Sequence, residues 1–149
     1  MVKILNDVYY HILFDTPMLP PETGGILGSE NCVITKYFQD IESDNCRMGH
    51  YVPSIAVLNK QIKIWYEQNI IFCGIYHTHY EGDNHLSGGD MVYITKILEQ
   101  FRSYTDNLLF PLVFPQTEII FYRVKLQGND MQIIQEDLQI INQEVYDGN

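Results

Sequence analysis

Apolar side chains at Val8, Tyr9, Ile12 and Leu13 return every three to four positions, which predicts a short amphipathic helix over residues 6–16. The Pro17-Met-Leu-Pro-Pro21 stretch ends it, because proline removes a backbone donor and restricts the residue before it. Glu22-Thr-Gly-Gly-Ile-Leu-Gly28 reads as a glycine-rich extended piece, and residues 32–38 as a strand. Residues 39–50 are polar, with Asp40, Glu42 and Asp44, and read as a solvated loop. A helix follows over 53–68, with Ile55, Leu58, Ile62 and Trp65 on one face.

Residues 70–76 form a nearly continuous apolar run, the pattern of a central strand buried on both faces. Met91, Ile94, Leu98 and Phe101 mark a helix over 87–102. Strands are expected at 108–114 and 118–126, joined by a tight Pro-Gln-Thr turn. Gly128-Asn129 is a favoured hairpin dipeptide, turning the chain into a strand at 131–135. The tail from Asp137 reads as a last helix on Leu138, Ile141 and Val145. This alternation predicts one α/β (α+β) domain over residues 1–149, a mixed β-sheet flanked by helices.

The formal net charge of −10 narrows the partners. A nucleic-acid binder needs a basic footprint, and this chain has none, so no nucleic acid is expected. No apolar run reaches the ~18 to 20 residues that span a bilayer, so no membrane is expected either. Cys32, Cys46 and Cys73 are odd in number and widely spaced, without a disulfide framework or a C-x-x-C pair. With no signal-peptide pattern after Met1, the expected setting is cytoplasmic.

The candidate chemistry lies in His77-Thr-His79, followed after seven residues by Ser87-Gly-Gly-Asp90. Alternate residues of a strand share a face, so both imidazoles can reach one point. Asp90, in the first turn of the next helix, can fold back as a third ligand. Three protein ligands leave a fourth position open, as in catalytic zinc sites, which implies one Zn²⁺ per chain. Zinc lowers the pKa of bound water towards ~7, and a nearby carboxylate must then carry the proton. Glu22, directly ahead of Gly24-Gly25, is the candidate, and Ser87 can donate to an oxyanion.

These residues, with the E-T-G-G-I-L-G stretch, resemble the JAMM motif of the JAB1/MPN zinc metalloprotease family, in its short stand-alone prokaryotic form. The resemblance implies a cytidine-deaminase-like fold, with His77, His79 and Asp90 as zinc ligands, Glu22 as general acid/base and Ser87 as oxyanion stabiliser. It also implies isopeptidase or peptidase activity after the C-terminal glycine of a ubiquitin-like protein, in deconjugation or precursor processing. Bacterial anti-phage conjugation systems are among the settings it implies. One position departs from the family pattern: Tyr80 stands where most members have proline after the second histidine.

Each residue also has a plainer reading. Ser87-x-x-Asp90 alone is an ordinary helix start, and Glu22 alone a solvated acid. His85 reads as a solvated loop histidine, Cys73 as a small buried hydrophobe and Trp65 as core. The alternative function is a non-catalytic MPN-type protein-binding scaffold, which predicts missing ligands. The H-x-E with P-C-x-x-C of a nucleobase deaminase and the H-E-x-x-H of a zincin are both absent.

Overall fold

The computed structural model of the chain describes residues 1–19, 22–41, 51, 53–80, 88–101, 107–128 and 130–144. Among them, three helices flank a mixed sheet of nine strands. The chain opens with β1 (Val2–Leu5) and runs into α1 (Asn6–Asp15), whose buried residues are Val8, Tyr9, Ile12 and Leu13. The apolar spacing therefore selects the buried face of α1 correctly. The Thr16 hydroxyl donates back to the Ile12 carbonyl at the helix end.

Next come β2 (Gly24–Glu30) and β3 (Val33–Gln39), an antiparallel pair. After α2 (Ile55–Glu67), β4 (Ile71–Thr78) lies along the other side of β2. Trp65 and Leu58 of α2 are buried, as the helical spacing requires, while Ile55 at its first turn is exposed. Then α3 (Gly88–Phe101) leads into β5 (Asn107–Leu109), β6 (Leu112–Phe114), β7 (Glu118–Gln127), β8 (Asp130–Glu136) and β9 (Leu138–Ile141).

The single strand expected at 108–114 is two, β5 and β6, yet both lie between β4 and β7 in one register. Pro111 explains the interruption, since it has no N–H to offer the ladder. Its carbonyl still accepts from the His77 amide, at 3.3 Å.

The expected C-terminal helix is corrected over residues 138–141, whereas residues 143–144 are helical and Val145 lies outside the described residues. Residues 138–141 form β9, which pairs in parallel with β1 from Val2↔Leu138 to Leu5↔Ile141. Tertiary pairing overrides the local helical spacing because the open side of β1 offers unpaired backbone groups. β1 itself has no counterpart in the sequence reading. The run 130–141, broken only at Asp137, thus pairs with β7 in its first part and β1 in its second.

The sheet consequently curls around α1, which contacts β1, β3, β6, β7 and β9. Val2 and Ile4 share one apolar cluster with Ile119 and Phe121, from strands far apart in the sheet order. A second cluster on the other face joins Leu58 and Trp65 of α2 to Ile94, Ile97 and Leu98 of α3, over Ile26 and Ile75.

At the seam, Arg123 donates through Nε to Glu136 at 2.6 Å and through Nη1 to Asn107 at 2.8 Å. The guanidinium holds the Glu136 carboxyl below its ordinary pKa. A depressed carboxyl contributes stability above its unfolded pKa and loses it as pH falls through the folded value. Glu136→Gln is therefore expected to cost about 1 kcal/mol at pH 7, a figure kept small by solvent screening. Urea titrations should show that deficit shrinking below the usual carboxylate pKa; a constant deficit at pH 3 would contradict the assignment.

Candidate metal and catalytic site

The geometry begins with a bulge. β2 and β4 pair as Leu27↔Gly74 and then Gly28↔Phe72, leaving Cys73 as the extra residue of β4. A single extra residue reverses which side chains face which side. Beyond it, Ile75 joins the cluster under α2 and α3, whereas Tyr76 joins the cluster around α1. His77 and His79 share the parity of Ile75, so they belong to the face covered by α2 and α3.

On that face the two imidazoles converge. Their Nε2 atoms lie 3.0 Å apart, with ring planes inclined at 67°. Both residues are buried, 2% and 8% exposed. His79 continues the ladder past the end of β4, its amide donating to the Val113 carbonyl at 3.0 Å. Its ring stands edge-on to Phe114.

Glu22 arrives from the adjacent strand. Gly24 pairs with His77, and Thr23 is tied to Thr78 twice, by backbone and by hydroxyl, each at 2.9 Å. β2 begins at Gly24, so Glu22 lies two residues ahead of the position that pairs with His77. The Glu22 carboxylate accepts from the Tyr51 amide at 3.3 Å. It also lies close enough to Tyr80 to push that phenol up, after burial as the leading cause. The Tyr80 hydroxyl donates to the Pro17 carbonyl at 2.9 Å and ties the chain leaving the site to the segment after α1.

Two residues that the sequence reading did not single out complete the setting. Asp40, expected in a solvated loop, is only 2% exposed and accepts from the Tyr51 hydroxyl and the Ser54 amide, each at 2.8 Å. It thereby pins Tyr51, whose ring occupies the space that a Cβ on Gly24 would need. The local sequence carries no signal for this, because the partners are eleven or more residues away and depend on how the loop returns.

The other predicted residues are placed only in part. Asp90 stands in the first turn of α3, one turn before Ile94, which is buried against the face that carries the histidines. The side chain of Asp90 lies outside the described residues, as do Ser87 and His85 entirely. Among the described residues no group of three His, Cys, Asp or Glu side chains is gathered as a metal site.

The two imidazoles do fit a zinc ion. Ligand nitrogens ~2.0 to 2.1 Å from zinc in a tetrahedral site are about 3.3 Å apart, close to the separation found here. The same contact without metal is a hydrogen bond between rings of opposite tautomer.

No protein-family model matches the chain, and no curated protein matches it. Solved structures do. The solution structure of protein DSY2949 from Desulfitobacterium hafniense superposes with a TM-score of 0.66 at 12% identity, covering 97% of each chain. A protein from Salinibacter ruber superposes with a TM-score of 0.50 at 16% identity, covering 95% of this chain and 93% of that one. At such identities the likeness establishes a shared fold and nothing about chemistry.

Proposed function

We propose that the chain is a zinc metallo-isopeptidase of the JAB1/MPN type, cutting the amide bond after the C-terminal glycine of a ubiquitin-like protein. The supporting observation is the convergence of His77 and His79 on one buried point, with Glu22 two residues ahead of the strand position that pairs with His77. In this reading the curled sheet around α1 is the cytidine-deaminase-like fold of that family.

His77 and His79 hold one zinc ion, with Asp90 as the third ligand and Ser87 as the oxyanion donor. Zinc in such a site supplies Lewis acidity toward water and a carbonyl oxygen. Glu22 takes a proton from the attacking water and delivers it to the leaving amine, so hydrolysis yields a free carboxylate and a free amine. Tyr51 holds the Glu22 carboxylate in place through its amide, and Asp40 holds Tyr51. The substrate is a ubiquitin-like protein or its conjugate, met in the cytoplasm. Among the described residues no helix is long and apolar enough to cross a membrane, and Cys32 and Cys73 are free thiols.

Elemental analysis tests the metal directly. About one zinc per chain is expected in the wild type, and Asp90→Ala should lose it because two imidazoles alone bind weakly. If the wild type takes up no zinc when offered it, the His77–His79 contact is a structural hydrogen bond and the scaffold reading replaces the enzyme.

A further inference from the structure

The amino-terminal half of β4 borders a second site. From Phe72 to His77 the strand advances roughly 17 Å, which separates this end of the sheet from the histidines. A cavity of about 1140 Å³ opens there, between the carboxyl-terminal part of α2 and the ends of β1, β3, β5 and β7. That volume slightly exceeds the ~300 to 1,000 Å³ typical of small-molecule sites.

The lining has an apolar body and a charged rim. Ile34, Ile62 and Phe72 supply part of the apolar wall, while Lys3, Lys63 and Arg123 supply cations. No Asp or Glu is among the described residues that line it. The contrast with the whole chain is large, since acids outnumber Lys and Arg by 19 to 9. Arg123 is held by Glu136 and Asn107 through Nε and Nη1, and its charge is paired with the Glu136 carboxylate, so Lys3 and Lys63 carry the positive charge of the rim. Two lysines beside apolar walls recognise a molecule with one anionic head and an apolar body.

We propose that this cavity is a ligand site for a small amphipathic anion, an apolar ring system or chain bearing one carboxylate, phosphate or sulfonate. It is independent of the zinc chemistry. A concave site of this size takes a single molecule rather than a flat lipid surface.

Two fluorescent probes that differ by one sulfonate group test it on the whole protein: 1-anilinonaphthalene-8-sulfonate and neutral N-phenyl-1-naphthylamine. The sulfonate is expected to bind about tenfold more tightly or better, against the repulsion of a protein of net charge −10. Amide resonances of Ile34, Ile62 and Phe72 should move during that titration. Lys63→Glu should abolish most of the preference. Gln116→Glu with Thr117→Glu, an equal charge change at the turn between β6 and β7, outside the lining, should leave it within about twofold. Equal binding of both probes would overturn the proposal, and so would equal loss in both variants, which would reveal a general field effect. Binding to phosphatidylglycerol vesicles without binding of the free sulfonate would likewise overturn it, in favour of a membrane surface.

Discussion

Glu22→Gln is expected to keep its zinc and lose about 10² to 10⁴ in turnover. The substitution preserves shape and leaves a carbonyl oxygen able to accept from the Tyr51 amide, now 3.3 Å from the carboxylate. What disappears is a group that can take a proton and return it. Measuring zinc content beside hydrolysis of a ubiquitin-like C-terminal amide separates this loss from loss of the metal. Activity equal to the wild type would sink the assignment of Glu22. A parallel fall in zinc would instead mean that the carboxylate supports the ligand shell.

Gly25→Ala is expected to damage the fold severely, costing about 3 kcal/mol or more. A Cβ there would press into the Phe38 carbonyl oxygen and lie 2.6 Å from the Tyr76 hydroxyl. Neither neighbour can retreat easily. Phe38 pairs with Ile26 in the β2–β3 ladder, and Tyr76 is buried in the α1 core and pairs with Gly25 itself. The displacement would pass along β2 to Gly24 and Thr23, which are tied to His77 and Thr78. Denaturant melts should therefore show a large drop in midpoint, with zinc affinity falling alongside stability. A variant as stable as the wild type would show that β2 can shift without cost.

Gly28→Ala makes a useful comparison. Its Cβ would meet the Ile70 methyl at 2.6 Å and the Trp65 ring at 3.1 Å, both side-chain atoms that can move by rotation. The contrast lies between backbone obstruction, which Gly24 and Gly74 also meet through the Tyr76 and Leu109 carbonyls, and side-chain obstruction at Gly28.

How much was legible in advance differs by element. The buried faces of α1 and the Trp65 side of α2 follow from spacing alone, because a helix brings residues three and four apart onto one side. The hairpin at Gly128 follows from its local chemistry, and that glycine does adopt a positive φ of 64°. The tail at 138–141 misled because its apolar spacing suits a helix as well as a strand, and only β1 decides between them. Asp40 misled because a polar neighbourhood in sequence need not be solvated once Tyr51 and Ser54 close over it.

The sequence by itself determined the chemistry on offer: two histidines at strand spacing, an acid before a glycine pair, and a serine and aspartate at a helix start. It also determined most of the helices and strands, since their periodicities are local. The tertiary structure decided which face the histidines occupy, because the bulge at Cys73 resets the alternation of β4. It decided that Thr23 is tied to Thr78 between the histidines, and that Asp40 and Tyr51 stand behind Glu22. Such facts depend on register between strands distant in sequence. A shift of one residue would turn every side chain to the other face, and no local pattern encodes that choice.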